Sequence, residues 1–197
     1  MADTLSIILG SGSLEITQVG DMKNTNGETV ADVSLREHSV FSLLSLLRAG
    51  IKIDSESVKK YVNSDGETIL YTAIRSLASE EDLETLISSG MDVNASKPNM
   101  DGFSDGGQPV HTASQCDHVD ALRVLVSHGA SVNSQNNFNK NTPLHIAVEF
   151  KNEKATVWLL KNGADSKLKN ARDLDALENS PSTCFPESIV SMFSKES

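Results

Sequence analysis

Four histidines, His111, His118, His128 and His145, flank Cys116 within 35 residues. Such a set could hold a zinc ion, or pair a thiol nucleophile with an imidazole base. The neighbourhood argues against both. Cys116 has no Lys or Arg within four residues to favour a thiolate, and Asp117 beside it opposes one. No H-E-x-x-H, C-x-x-C, phosphate-cradling glycine loop or G-x-S-x-G occurs. No catalytic residue, metal ligand or cofactor is therefore expected. A thiol- or metal-dependent enzyme using Cys116 with His118 is the minor alternative.

The elements that carry these histidines give them another purpose. Thr142-Pro-Leu-His145 opens a stretch ending Gly163-Ala-Asp165, and the same grammar lies 34 residues upstream. There, Pro109-Val-His111 answers Pro143-Leu-His145, Ala113 answers Ala147, Leu125-Val126 answers Leu159-Leu160, and Gly129-Ala-Ser131 answers Gly163-Ala-Asp165. Thr142 supplies an N-cap hydroxyl, and Pro143 fits the first helical position, where a missing N–H costs nothing. Leu144, Ala147 and Val148 then share a helical face, small Ala147 admitting a neighbouring helix. A second helix follows Lys151-Asn152, carries Val157, Leu159 and Leu160, and stops at Gly163, where glycine supplies a left-handed helix end. Neither helix pair can hide its apolar face alone; stacking hides both.

In these residues the chain resembles the ankyrin-repeat family, whose unit is a β-turn finger followed by two antiparallel helices with the pattern T-P-L-H-x-A. The resemblance implies an all-α solenoid of stacked helix-turn-helix units. Gly66-Glu-Thr68 with Tyr71, Leu86-Ile87 and Gly90 makes a third copy, Tyr71 replacing His. Gly27-Glu-Thr29 with Leu43-Leu44, Leu46-Leu47 and Gly50 makes a fourth, whose first helix around Ala31 to Glu37 lacks Pro-Leu-His. Asp175-Ala-Leu177 stands where Thr-Pro-Leu would, and Ile189, Val190, Met192 and Phe193 stand where a second helix needs core residues. The expectation is an ankyrin domain over 26–195: four repeats at about 26–58, 65–98, 104–136 and 138–170, and a cap at 171–195. Pro181 and Pro186 predict that the cap's first helix is short or broken. Residues 1–25 read equally as a β-hairpin or a helical cap. Glycine spacings of 40, 39 and 34 residues from Gly50 to Gly163 put insertions in two connections. The one at 95–107, with Met100 and Phe103, is either a binding loop or a spacer.

The resemblance also implies that His111 and His145 hydrogen-bond across the turn and tie neighbouring units. His118 matches the residue that begins the second helix, and His128 beside Gly129 is a cation suited to a helix C-terminus. Trp158, the sole tryptophan, is expected in the core against the cap. The run Glu80, Glu81, Asp82 and Glu84 reads first as a helix start that complements the dipole.

A formal charge of −10 and a pI near 4.9 leave no basic stripe for nucleic acid and favour a protein partner with a basic or mixed surface. Two cysteines 68 residues apart, with no secretory or membrane segment, suggest a reducing cytoplasmic or nuclear compartment. By family position a partner would sit on the concave face, built from finger tips and the exposed side of each first helix. Those positions are Phe103, Ser104 and Asp105, then Phe138, Asn139 and Asn141, with Gln115, Cys116, Glu149 and Phe150 from the helix ends. Phe138 and Phe150 stand out, because such uncovered positions are normally polar. The leading reading is a non-catalytic adaptor or inhibitor, monomeric until it clamps its partner. An obligate activating subunit, for instance of a kinase, is the main rival, and self-association through an N-terminal hairpin a third option.

Overall fold

The computed structural model describes residues 16–97, 107–179 and 185–194, and those residues hold helices and turns but no strand. Helix α1 (Ile16–Asp21) precedes four helix pairs: α2 (Val30–Arg36) with α3 (Val40–Arg48), α5 (Ile69–Arg75) with α6 (Glu80–Ser88), α7 (Pro109–Gln115) with α8 (Val119–Ser127), and α9 (Pro143–Glu149) with α10 (Glu153–Lys161). Between the first two pairs lies a short α4 (Ser55–Lys60), and after the last come α11 (Glu187–Val190) and a 3-10 turn (Ser191–Ser194). The 40-residue glycine spacing is thus explained by α4, which packs against α2. The first helices α5, α7 and α9 pack in a row, and the second helices α3, α6, α8 and α10 pack in another beside it.

Four of the helix starts are set by side-chain caps. Thr142 Oγ1 accepts from the His145 N–H, and Thr29 repeats the motif with Asp32. Ser39 and Ser79 cap α3 and α6 with their hydroxyls. Pro109 and Pro143 occupy first-turn positions, as the sequence predicts. Gly50, Gly90, Gly129 and Gly163 end the second helices at φ between 86° and 105°, where a Cβ would be strained. The six helical residues before Gln115 in α7 and before Glu149 in α9 are all buried. One continuous core runs from Ala31 and Leu35 through Leu70, Leu83, Leu122, Leu144 and Leu159 to Ile189 and Phe193. Full burial of each large aliphatic there contributes about 1.5–3 kcal/mol.

The two ends depart from the pattern. Ile16–Asp21 is helical, so Ile16 does not enter a hairpin strand; residues 1–15 lie outside the described residues. In the cap, Asp175–Asn179 forms a single turn closed by Asn179 N–H to Asp175 O at 2.9 Å, in place of a first helix. Ile189 and Phe193, after it, are buried.

Candidate functional site

The histidines hold repeats together. His145 Nδ1 accepts from the Thr142 N–H at 3.3 Å, so the ring proton sits on Nε2 and is donated to Leu174 O at 3.0 Å in the next unit. His111 repeats this: its Nδ1 accepts from Gln108 N–H at 3.1 Å, and its Nε2 lies 3.1 Å from Ser134 O and 3.2 Å from Asn141 O. Burial pushes the His145 imidazole below its ordinary pKa, against the favourable bond to Leu174, which keeps it neutral in this role. Tyr71 substitutes for His by aiming its hydroxyl at Ala95 O and, at 2.9 Å, at Gly107 O. Asp32 stands at the same position in the first repeat. Burial opposes its charge, but hydrogen bonds from Ser57 of α4 and from Thr29 hold its carboxyl below the usual range. At the helix-to-helix turn, His118 reaches back to Ala78 O at 3.0 Å, and Asn152 to Ser114 O and Gln115 O at 2.7 Å each. Every histidine but one is therefore committed to a neighbouring backbone or hydroxyl; His128 instead meets Glu84 Oε2 at 2.7 Å.

Cys116 is half-buried at the end of α7. Burial pushes its thiol up, outweighing the charges of Arg75 and Lys97 that the fold brings near. A thiol so placed is protonated at neutral pH and a poor nucleophile. No cluster of three or more metal-ligating side chains occurs among the described residues.

The fingers obey a rule that the motif reading missed. Asn24, Asn63, Asn136 and Asn170 each close a finger: the side-chain Oδ1 accepts two downstream N–H groups at 2.9–3.2 Å. Each also donates its own N–H to the carbonyl at the finger's far end, at 2.9–3.0 Å. Asparagine at 39- and 34-residue spacings was the available signal. The third finger has Lys97 instead, whose N–H donates to Gly107 O at 3.1 Å and closes the base of the insertion. Lys97 Nζ meets Glu67 Oε1 at 3.0 Å and lies 5.1 Å from the Tyr71 ring centroid, while Arg75 pairs with the other Glu67 oxygen. Glu67 is 2% exposed. Burial would raise its carboxyl, but Arg75 and Lys97 hold it below the usual range.

The acidic run of α6 also does more than complement a dipole. Asp82 pairs with Arg48 of α3 at 2.5 Å, Glu80 with Arg123 of α8 at 2.9 Å, and Glu84 with His128, so α6 is pinned to the second helices on both sides. These pairs are exposed, and each contributes at most about 1 kcal/mol.

Of the expected contact residues, Phe138 is 53% exposed at the fourth finger and Phe150 is 49% exposed just past α9. They stand at opposite ends of a helix about 10 Å long, so they are two separate anchors rather than one patch. Glu149 is exposed, and Gln115 and Cys116 are half-buried. Asn139 is half-buried, with its carbonyl taken by Ala171 N–H at 2.8 Å. Asn141 requires a correction. It is 1% exposed, its Oδ1 accepts from Asn170 and its N–H is donated to Asn136, so it is framework and has no free surface. The long buried stretches of α7 and α9 likewise leave a rim of finger tips and helix ends, with little exposed helix side. Phe103, Ser104 and Asp105 lie outside the described residues. Leu77, overlooked in the sequence, is 61% exposed at the turn after α5, one residue past the position equivalent to Cys116 and Phe150.

Trp158 is half-buried and packs against the core cluster that includes Ile189 and Phe193, while it also lines an open groove with Val157 and Ile189.

A family model for ankyrin repeats in three copies matches residues 96–170, which contain the His111 and His145 ties. The chain is an ankyrin-repeat protein. Among curated relatives, it is 43% identical over 67 residues to the NF-kappa-B inhibitor cactus of Drosophila melanogaster, covering 34% of this chain and 13% of cactus. It is 30% identical over 115 residues to the I-Kappa-B like protein G2 of Microplitis demolitor bracovirus, covering 57% of this chain and 61% of that one. It is 36% identical over 136 residues to the human neurogenic locus notch homolog protein 1, covering 68% of this chain and 5% of that protein. This ankyrin chain therefore spans a small part of cactus and notch and under two thirds of G2. Ankyrin arrays mediate protein–protein interaction, and no helix among the described residues is long and apolar enough to cross a membrane.

Proposed function

We propose that this ankyrin array is a non-catalytic inhibitor that occupies the DNA-binding face of a transcription regulator. The observation that carries the reading is the exposed pair Phe138 and Phe150 bracketing α9. The first two fingers present Thr25-Asn26 and Ser64-Asp65 instead, and the other first helices end in Glu37, Ser76 and Cys116. Uncovered aromatics at otherwise polar positions are the composition of interface hot spots. Leu77 continues the row onto the second repeat. Charge adds direction: residues 26–136 hold sixteen acidic against eight basic residues. A surface that binds DNA must be basic, and an acid-rich array complements it. The relatives named as NF-kappa-B inhibitor and I-Kappa-B like protein agree with this class of target.

The test adds the chain to an NF-kappa-B protein already bound to labelled DNA. The wild type should release the DNA, and the F138S/F150S double variant should not, its far-UV spectrum being unchanged. Stable capture without release would point instead to an adaptor or an activating subunit. Equal activity of the double variant would remove the surface assignment.

A further inference from the structure

A second surface lies on the other row of helices. Along α10, Lys154, Val157, Trp158 and Lys161 follow the i, i+3, i+4, i+7 spacing of one helical stripe, while the core takes Ala155, Thr156, Leu159 and Leu160. In the preceding repeat the position of Trp158 is held by Val124, 1% exposed. Among the described residues, the helical cover after α10 is the four-residue α11 and a 3-10 turn. The larger indole and the shorter cover leave an apolar groove of about 510 Å³, lined by Val119, Val157, Trp158 and Ile189, with Lys154, Lys161 and Glu153 at its edges.

Its edges carry a local excess of positive charge, Lys154 and Lys161 against Glu153. Residues 140–172 hold seven basic against three acidic residues in a chain of net charge −10. Lys154 and Lys161 are exposed, and neither forms an ion pair among the described residues. They sit two turns apart at either end of the Val157–Trp158 pair.

We propose that this groove docks a short amphipathic acidic peptide segment of a partner, whose bulky apolar side chains lie against Trp158, Val157 and Ile189 and whose carboxylates meet Lys154 and Lys161. Apolar anchors at helical spacing flanked by acids fit a groove with a lysine at each end. Glu153 repels such a segment at one edge, so its acids belong on the Lys154–Lys161 side. This site does not depend on the inhibitor reading, since it uses none of the rim residues.

Trp158, the only tryptophan of the chain, reports occupancy directly through its fluorescence. The experiment titrates the full chain with a synthetic peptide of about 14 residues that carries Leu and Phe at i, i+3, i+4 and i+7 and Glu elsewhere. A copy with Lys for Glu, and vesicles of phosphatidylserine, form the other arms. The acidic peptide should give a saturable blue shift that weakens with salt, and K154E/K161E should weaken it about tenfold. Should the far-UV spectrum of that variant change, K154A/K161A makes the same comparison with a smaller loss. No shift, an equal shift with the lysine peptide, unchanged affinity in both variants, or a response to vesicles alone would each overturn the proposal.

Discussion

Replacing Glu67 with Gln keeps the shape of the side chain and removes the charge that Lys97 and Arg75 share. Lys97 is almost fully buried and loses the Glu67 carboxylate, whereas Arg75 keeps 42% of its side chain in water and loses little. Breaking a buried pair by removing one partner costs about 3–5 kcal/mol, and the solvated arginine places this case near the lower figure. Against a typical domain stability of about 5–15 kcal/mol, that is a large fraction. Urea unfolding followed by far-UV circular dichroism at neutral pH should show it. Since the fold lowers the Glu67 pKa, its contribution is complete above the ordinary value of 4.5 and lost as pH falls through the folded value. The gap between wild type and E67Q should therefore be flat from about pH 8 to 6 and close in acid. A loss below about 0.5 kcal/mol would refute the reasoning.

Three further outcomes follow from the same bonds. Tyr71→Phe deletes a buried hydroxyl aimed at the two carbonyls at the base of the insertion, and should cost about 1–3 kcal/mol in urea unfolding. His145 is pushed down by burial, so the unfolded chain takes up its proton first; stability is complete above the unfolded value of about 6.5 and falls as pH drops from there toward the folded value. Urea midpoints of the wild type should therefore decrease from about pH 7.5 to 5.5, and His145→Asn should flatten that slope; identical slopes would dismiss the assignment. Lys140 holds φ 59° at the finger position where Gly27 and Gly66 stand in earlier repeats, so Lys140→Gly should raise stability by about 0.5–1 kcal/mol, and any loss counts against strain there.

What was legible in the sequence is what repeats without change. Thr142-Pro143 and Pro109 fix helix starts by local geometry alone, and the 34-residue answer between His111 and His145 fixes how neighbours meet. Asp32 escaped notice because a carboxylate performs the histidine's local bond with different chemistry, receiving protons from Thr29 where the imidazole also donates. The destinations of Glu80, Asp82 and Glu84 lie on other helices, so sequence could see a charged run but not its partners. Asn141 looked like a finger tip, yet the fourth finger is one residue longer than those of Asn24 and Asn63. Asn141 therefore stands at the closing position that Glu67 holds in the second finger, where the side chain is buried and here meets Asn170. Trp158 packs against the core as its repeat position implies, but the groove beside it depends on how Ile189 of α11 lies against α10, a long-range contact the sequence does not state. Phe138 and Phe150 were visible as anomalies because a repeat states what each position ought to hold.

The claim that a partner lies along the rim of finger tips and first-helix ends is tested most directly by site-specific photo-cross-linking. A photoreactive residue at Phe150, in the complete chain bound to its partner, should form a covalent adduct. The same group at Glu81, exposed on the second-helix side, should form none. Adducts from position 81 with none from position 150 would contradict the account.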